Sequence, residues 1–400
     1  MKFQNVFIPY GGYWCTPFVR WQGTLANTHP ILLAAETAKR ALKERNIAPD
    51  IFDALFFGMS VPQKHSFYGA PWLAAEIGAP GITGPVLSQA CATSARVVAS
   101  SAFEVETGAN RVVLAMAADR CSNGPHVYYP NPLGPGGKGD TEDWVWDNFN
   151  YDPYAKNAMI NTAENVAREA DITKEQQDEM MFLRFSQYQD ALKDNYAFHR
   201  RYMVTPLEVK DASGRKVIAT LKDDEGVFPT TREGLAKLKP VLDGGTVTYG
   251  GQTFPADGNA AMIVTTREKA QELSRDAKIT VQLIGVGSAR ARKGYMAQAP
   301  VPAAKAALAN AELKIEEMRV IKSHNPFAVN DIYFCEQTGV KPEAMNHYGS
   351  SLIFGHPQGP TGMRLMIEMI EELAMMGGGY GLFTGCAAGD TAMAWVVKVS

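Results

Sequence analysis

At 400 residues the chain is longer than a usual single domain, so two or three units with separate cores are expected. The composition is that of an ordinary globular protein, with 46% hydrophobic residues and a net charge of only −3, and it shows no basic cluster suited to nucleic acid. No apolar run approaches the roughly 18–20 residues that span a bilayer, and the first residues lack a signal-peptide pattern, so we expect a cytoplasmic protein without a membrane partner.

The first 120 residues alternate between strand and helix patterns. In chain order these are a strand at NVFIPYG, an amphipathic helix at ILLAAETAKRALKERN, a buried strand within IFDALFFGMSV, a short helix at APWLAAEIG, a helix that begins near Cys91, and a buried strand at RVVLAMAAD. Runs of small and β-branched residues are typical of strands that are buried on both faces. The alternation predicts an α/β unit in which helices cover a parallel or mixed sheet.

From Cys121 the pattern changes. A long stretch rich in glycine, proline and aromatic residues leads into two helical segments, NTAENVAREA and KEQQDEMMFLRFSQYQDALKDN, and then into a polar region typical of a hairpin and loop. Long loops inside compact proteins are usually functional. We interpret residues 121–245 as an inserted, largely helical subdomain, placed between an N-terminal half at 1–120 and its return segment at 246–271, with a C-terminal half at 272–400.

The α/β pattern resumes after the insertion, through GTVTYGG, NAAMIVTTREKAQEL, KITVQLIGVGSA, VPAAKAALANAEL and MRVIKSHNPF. The last portion of the chain then has a small-residue turn, an amphipathic helix, a glycine break, a buried strand and another small-residue turn. The same order of features surrounds Cys91. This repetition suggests an internal duplication, with two α/β halves related by approximate symmetry.

The five cysteines are odd in number and lack a CxxC pair, which favours reduced thiols over a disulfide framework or a zinc site. Cys91 lies where a helix begins, so free N–H groups and the helix dipole would stabilise its thiolate; the alternative is a small buried hydrophobe. Cys386 is expected just past a buried strand, in a turn of glycine and alanine that leaves its sulfur uncovered. The alternative for Cys386 is a core cysteine at a strand end.

Two histidines are candidates for acid–base work, because the unperturbed pKa of histidine lies near neutrality. His356 lies in the glycine- and proline-rich turn FGHPQGPTG, ahead of a helix that begins near Met363. His324 is expected after a short buried strand that ends near Ile321. An exposed turn histidine and a structural, hydrogen-bonded histidine are the respective alternatives.

Several separated motifs resemble the thiolase superfamily over nearly the whole chain. CTPFVRWQGTLA is similar to the family's RTPxGxxxGxLA segment, with Cys15 in place of the arginine, and QACATSARVV is similar to the helix of the nucleophilic cysteine. RCSNGPH, TAENVA and GTVTYGGQTFPADGNAA resemble the loop domain and its return strand, and NHYGSSLIFGHPQGPTGMR is close to the signature NxxGGxxxxGHPxGxxGxR. Six motifs in the right order make the resemblance specific.

The resemblance implies a five-layer αβαβα thiolase fold, with two duplicated halves and an inserted loop domain that covers the coenzyme A (CoA) site. It implies that Cys91 accepts the acyl group, that His356 activates Cys91, and that Cys386 is the acid and base for the carbon acid. His324 falls where many thiolases carry asparagine and should help bind the thioester oxygen. Backbone N–H groups of Cys91 and of a residue after Cys386 are expected to form a second oxyanion hole. The positions expected to bind the acyl group or CoA are Met159, Thr253, Phe254, Asn325, Phe327, Ala388 and Gly389.

The resemblance also implies an acyl-CoA C-acyltransferase with CoA as substrate and product, no metal and no permanently bound cofactor, and assembly as a homodimer or homotetramer. The family's CxGGGxG segment departs to CAAGDTA, where Ala387 and Ala388 would be strained at any position that needs φ > 0. Aromatic residues in the insertion favour a bulky or aromatic acyl group, as in degradative benzoylsuccinyl-CoA thiolases. The alternative is a carbon–carbon lyase or condensing enzyme of the same fold that acts with an accessory zinc-ribbon/OB-fold subunit and without thiolysis.

Overall fold

The computed structural model describes residues 1–211 and 214–400. Within these residues the strands form an 11-stranded sheet and two separate hairpins. In chain order the strands are β1 Phe7–Ile8, β2 Tyr13–Cys15, β3 Val19–Arg20, β4 Ala54–Gly58, β5 Val86–Leu87, β6 Val112–Arg120, β7 His126–Tyr129, β8 Asp140–Asp143, β9 Leu207–Lys210, β10 Val217–Leu221, β11 Ala256–Thr265, β12 Val281–Arg290, β13 Met318–His324, β14 Gly379–Ala387 and β15 Thr391–Val399.

The helices alternate with these strands. They are α1 Pro30–Glu44, α2 Gly69–Ile77, α3 Thr93–Thr107, α4 Trp146–Asn150, α5 Met159–Glu169, α6 Lys174–Tyr196, α7 Arg232–Ala236, α8 Arg267–Leu273, α9 Pro300–Ala311, α10 Ala328–Thr338, α11 Ser351–Phe354 and α12 Thr361–Met375. Residues 193–195 near the end of α6 depart from helical geometry. No described helix has the combination of length and apolar character that a membrane crossing requires.

The strand pairings confirm the internal duplication. In the first half β4 pairs with β6 in parallel, and β6 pairs with β11 and β11 with β2 in antiparallel fashion. In the second half β13, β14, β15 and β12 follow in the same order with the same directions. The short strand β1 pairs with both β11 and β12 and so joins the two halves into one sheet.

Helices and sheet halves stack in the five layers of the predicted αβαβα fold. α3 and α12 pack against each other and contact strands of both halves, which places them in the central layer. α1 and α2 cover the outer face of the first half, whereas α9 covers the outer face of the second. Three buried clusters fill the spaces between layers, and the largest surrounds the two central helices. Because the equivalent helices α3 and α12 meet at the centre, the loops that precede them are brought together.

The segment between β6 and β11 is more mixed than the predicted helical subdomain. It contains α4 to α7 but also the β7–β8 and β9–β10 hairpins. GTVTYGG, which was expected to continue the α/β pattern, forms a short 3-10 turn at Tyr249–Gly251, because the Thr248 hydroxyl accepts hydrogen bonds from the N–H groups of Gly250 and Gly251. A buried ion pair ties the segment to the central layer: Arg364 of α12 donates to both carboxylate oxygens of Asp224 at 2.7 and 2.8 Å.

Candidate active site

Cys91 lies in a tight turn immediately before the central helix α3, and not in the first turn of that helix as the sequence predicts. Residues Ala90–Ala92 form a 3-10 turn and α3 begins at Thr93. Ala90 is held at a φ of 44°, in the left-handed region that disfavours residues with a Cβ. The Thr93 hydroxyl accepts a hydrogen bond from the Gln89 N–H at 2.8 Å and donates one to the Ala90 carbonyl at 2.6 Å, which holds the turn.

His356 reaches the same place from the loop before α12. Gly355 precedes it with a φ of 87° and a ψ of 174°, a backbone conformation almost restricted to glycine. The His356 N–H donates to the Phe254 carbonyl at 2.9 Å, and the imidazole Nδ1 lies 2.7 Å from the Thr361 hydroxyl oxygen. The His356 Nε2 atom is buried and has no hydrogen-bond partner among the described residues.

His324 is the last residue of β13, so this strand extends beyond the predicted end near Ile321. The His324 Nδ1 atom lies 2.8 Å from the Ser351 hydroxyl oxygen, and its Nε2 atom is also buried without a partner in the described part of the chain. The rings of His324 and His356 stack with centroids 4.0 Å apart. One nitrogen of each ring and the Cys91 sulfur all lie within 4.8 Å of one another.

Cys386 belongs to β14 and is fully buried, so the predicted exposed turn is wrong for its sulfur. β14 runs on to Ala387 because it pairs with β15 to the end of the strand, and the Cys386 side chain is buried in an apolar cluster with Phe327 and Leu352. The Asn330 amide donates a hydrogen bond to the Cys386 sulfur at 3.4 Å, while the Asn330 amide oxygen accepts the Phe327 N–H at 3.3 Å. Sequence reasoning missed Asn330, and its position six residues after His324 in HNPFAVND was the available signal.

Desolvation favours the protonated thiol of both cysteines, of which Cys386 is buried and Cys91 partly buried. Desolvation raises the pKa of Cys91 to about 12, although the N–H groups of Ala388 and of Cys91 itself act in the opposite direction. The predicted stabilisation of a Cys91 thiolate by the helix start is therefore outweighed. Desolvation, with the nearby Cys91 as the next cause, raises the pKa of Cys386 well above its usual value, against the effect of the Asn330 hydrogen bond.

The two imidazoles are neutral for the same reason. Desolvation lowers the pKa of His324 to about 3. Desolvation and, second, the adjacent His324 lower the pKa of His356 well below its ordinary value. A neutral imidazole is a base and the Cys91 thiol is an acid. Cys91 is therefore deprotonated by transfer of its proton to the neighbouring imidazole.

Family models match the chain on both sides of the insertion. The thiolase N-terminal domain matches residues 13–268, and the thiolase C-terminal domain matches residues 277–399. The chain belongs to the thiolase family. This confirms the resemblance read from the sequence motifs and the thiolase fold.

Similar proteins agree over nearly the full length of this thiolase. It is 29% identical over 382 residues to the beta-ketothiolase BktB of Cupriavidus necator, which covers 94% of this chain and 95% of the relative. The structure of the acetyl-CoA acetyltransferase of Bacillus anthracis aligns with a TM-score of 0.91 at 25% identity, covering 100% of both chains. A structure of human mitochondrial 3-ketoacyl-CoA thiolase in complex with CoA shares the fold with a TM-score of 0.90 at 24% identity, over 100% of this chain and 99% of that one. This thiolase is accordingly an acyltransferase.

Asp119 supports the histidine loop of the thiolase from below. Its carboxylate accepts hydrogen bonds from the N–H groups of Ser60, Val61 and Gly359, at 2.8, 2.9 and 2.8 Å. Desolvation nevertheless raises its pKa to about 7. Because Gly359 lies three residues after His356, this hydrogen bond ties the loop that carries His356 to β6. Asp119 was also missed from the sequence, where it reads only as the polar end of a strand.

Most of the predicted binding positions surround this centre. Met159 and Phe327 pack in the apolar cluster that contains Cys386. The Thr253 hydroxyl donates to the Ser351 carbonyl at 2.5 Å, and Phe254 lies against Gly355, where a Cβ would come within 2.6 Å of its ring.

The remaining predicted positions are Asn325, whose side chain is buried, and Ala388 and Gly389, whose backbone conformation is informative. Asn325 is fully buried, its amide donates to Asp331 at 2.7 Å and its amide oxygen accepts from Ser351, so it supports the site and does not face a ligand. Ala388 and the preceding Ala387 have no positive φ, and the left-handed conformation falls on Gly389 and Asp390 instead. The strain expected at the two alanines is therefore absent.

Proposed function

We propose that this thiolase cleaves a 3-oxoacyl-CoA with CoA, and catalyses the reverse Claisen condensation, through an acyl group carried on the Cys91 sulfur. The observation that carries the proposal is the convergence of the Cys91 sulfur and the unpartnered Nε2 atoms of His324 and His356, with Cys386 beside them. Cysteine suits this role because a thiolate attacks a carbonyl readily and its thioester stays reactive.

In the first half-reaction His356 Nε2 takes the proton of the Cys91 thiol as the sulfur attacks the 3-oxo carbon. The C3 oxyanion that forms faces the N–H groups of Cys91 and Ala388, while His324 Nε2–H donates to the thioester oxygen. In this tautomer the Ser351 hydroxyl donates to His324 Nδ1 and no longer to the Asn325 amide oxygen. When the bond between C2 and C3 breaks, acetyl-CoA departs as an enolate and takes a proton from the Cys386 thiol. A high thiol pKa suits this step, since Cys386 must hold its proton until the enolate forms.

In the second half-reaction the thiol of a new CoA gives its proton to the Cys386 thiolate and attacks the acyl group on Cys91. Collapse of the tetrahedral intermediate forms the shortened acyl-CoA, and the Cys91 sulfur regains its proton from His356. The N–H groups of Ala388 and Cys91 are directed at the Cys91 sulfur, which supports the second oxyanion hole in this part of the pocket.

A bulky or aromatic acyl group, of which benzoylsuccinyl-CoA is the example, is our proposal for the substrate. Its support is compositional: the segment after β6 presents Tyr128, Tyr129, Trp146, Tyr151 and Tyr154 as exposed aromatic side chains. A thiolysis screen of short, branched, dicarboxylic and aromatic 3-oxoacyl-CoAs tests it. A kcat/KM that is highest for acetoacetyl-CoA would refute the proposal on the acyl group while leaving the reaction class intact.

We propose a homodimer or homotetramer located in the cytoplasm. β5 lies at the end of the sheet order of the described residues, and an edge strand of this kind can pair with a strand of another subunit. The alternative function, condensation or lysis with an accessory zinc-ribbon/OB-fold subunit, needs no acyl-thiol intermediate. Turnover by the purified chain alone, with acylated Cys91, would exclude it.

Replacement of the nucleophile tests the proposed reaction. We expect Cys91→Ser to lower kcat for CoA-dependent cleavage by on the order of 10³-fold or more, because a hydroxyl is a much weaker acid and nucleophile than a thiol. Cys335→Ser is the matched control, since Cys335 is buried in α10 against Met345. Undiminished cleavage by the Cys91 variant across the substrate panel would refute the proposal.

A further inference from the structure

We propose that Cys91, His324 and His356 together form a binding site for a zinc ion, and that zinc bound there reversibly blocks the nucleophile. The lack of a CxxC pair speaks only against a zinc site built from cysteines close together in the chain. These three ligands come instead from three separate segments, the turn before α3, the end of β13 and the loop before α12, and only the fold brings them together.

The geometry fits a site with three protein ligands. The Cys91 sulfur and one nitrogen of each histidine lie within 4.8 Å of one another. A tetrahedral zinc ion with bonds of about 2.0–2.3 Å requires ligand atoms about 3.3–3.8 Å apart, so the side chains need to close by no more than about 1.5 Å. Three ligands leave the fourth position open to water.

A second observation points to a ligand at this place. The Nε2 atoms of His324 and His356 are unpartnered among the described residues, and the two side chains are 1% and 5% exposed. Buried polar atoms are ordinarily paired, so two such nitrogens beside a sulfur form an unsatisfied donor set. During catalysis His324 Nε2 serves a substrate oxygen and His356 Nε2 the Cys91 proton, and zinc would use both nitrogens in the resting protein.

The hydroxyl groups behind the imidazoles allow the tautomer that zinc needs. The Ser351 hydroxyl lies 2.8 Å from His324 Nδ1 and 3.2 Å from the Asn325 amide oxygen. When it donates to Asn325, it accepts from His324 Nδ1–H, and the Nε2 lone pair is free. The Thr361 hydroxyl can hold His356 in the same tautomer. Metal-bound histidines are commonly oriented by such a bond on the other nitrogen.

The donor set selects the ion. A thiolate and two neutral imidazoles suit zinc and exclude calcium and magnesium, which take oxygen ligands. Cysteine binds zinc as the thiolate, so the Cys91 thiol loses its proton to solvent when the ion binds. The thiolate is then bonded to zinc and cannot attack a carbonyl, which makes zinc and acyl-CoA mutually exclusive.

The other acid–histidine cluster lacks these features. His199, Asp223 and Asp224 also lie close together, but Asp224 is occupied by Arg364, and Tyr188 donates to both carboxylates. Its ligand atoms are already satisfied, with the exception of His199 Nε2.

Calorimetric titration of the metal-stripped protein with zinc chloride tests the proposal. We expect one ion per chain and release of one proton, seen as the dependence of the heat on buffer ionisation enthalpy. Cys91→Ser and His324→Asn should each weaken binding by at least about 10-fold. Cobalt(II) in place of zinc should give a thiolate charge-transfer band that is lost in Cys91→Ser, and zinc should protect Cys91 from acylation by acyl-CoA.

His126→Asn is the matched control. His126 is an exposed histidine 3.7 Å from Asp143, and it is not one of the three proposed ligands. It should leave zinc affinity unchanged. Circular dichroism and thermal melting confirm that each variant is folded, and His324→Asn stands in if Cys91→Ser fails to fold. Equal zinc affinity in the wild type and the folded ligand variants, or unchanged Cys91 acylation at saturating zinc, would overturn the proposal.

Discussion

The two stacked histidines of the site differ in what their chemistry requires. His356 must accept a proton from Cys91, whereas His324 needs only to donate a hydrogen bond to an oxyanion. Asparagine has an N–H donor but no basic nitrogen, so it separates the two roles.

We therefore expect His356→Asn to lower kcat by on the order of 10³-fold and His324→Asn by about 10–100-fold. The His324 variant keeps an N–H donor, although the donor no longer lies at the position of the imidazole Nε2. Single-turnover acylation of Cys91 is the measurement for both. Equal losses in the two variants would show that the assignment of a single base is wrong.

Asn330 adjusts the acid–base cysteine. Its N–H bond to the Cys386 sulfur stabilises the thiolate, against the burial that raises the pKa of Cys386. Exchange of the acetyl-CoA C2 protons into deuterated water requires this thiolate, so its rate rises with pH up to the Cys386 pKa.

We expect Asn330→Leu to raise that pKa and to move the exchange profile to higher pH, with a loss of about 10-fold or more near neutrality. Asn330→Asp, which keeps the acceptor for Phe327 N–H but places a carboxylate beside the sulfur, should move it further. If the pH profile of the exchange rate does not shift and only KM changes, Asn330 has a packing role and does not adjust the Cys386 pKa.

At the scale of elements, the turns before α3 and α12 decide where the catalytic side chains point. Gly355 is held at positive φ, and a Cβ there would lie 2.6 Å from the Phe254 ring. Gly108 at the end of α3 also has a positive φ, of 75°, but nothing lies within 4 Å of a Cβ added there.

Gly355→Ala should cost about 1–3 kcal/mol of stability and displace His356, with a large fall in kcat. Gly108→Ala carries backbone strain of about 1–2 kcal/mol and should leave kcat nearly unchanged. Thermal melting and steady-state thiolysis of both variants check this. If Gly108→Ala also lost activity, backbone strain on a central helix would by itself explain the loss of kcat, and the contact between residue 355 and Phe254 would not be its cause.

Much at this scale was predictable from the sequence. Apolar periodicity located α1, α3, α9 and α12, and the repeated order of elements indicated the two halves, because both signals are local. The motifs named Cys91, His356, Cys386 and His324.

The sequence-based predictions that were wrong concern properties that depend on tertiary contacts. The burial of Cys386 follows from its packing in an apolar cluster with Phe327 and Leu352, and the raised pKa of Cys91 follows from desolvation in the folded protein. Asn330 and Asp119 act through contacts with residues distant in the chain, and only Asn330, in HNPFAVND, stands near a motif that could have indicated its role.

At the scale of the whole molecule, a buried ion pair fastens the inserted segment to the central layer. Arg364 is fully buried and holds Asp224 through two hydrogen bonds and Glu368 through a third. Removal of one partner from such a cluster leaves a buried charge without compensation.

We expect Arg364→Met to destabilise the protein by about 3–5 kcal/mol and to lower its Tm markedly. Arg232→Met is the matched control, because the exposed Arg232 also binds a carboxylate, that of Glu179, in bidentate fashion. Its loss should scarcely change Tm. Similar shifts in both variants would mean that burial of the Arg364 pair contributes nothing.

The account as a whole requires two halves of one chain to place a thiol, two imidazoles and a second thiol around one reacting carbon. The most direct test is rapid quenching of the enzyme with a 3-oxoacyl-CoA in the absence of free CoA, followed by mass spectrometry of the peptides. The account predicts the shortened acyl group on Cys91 alone, and its release as acyl-CoA when CoA is added. Turnover without any adduct on Cys91, or an adduct that CoA does not discharge, would contradict it.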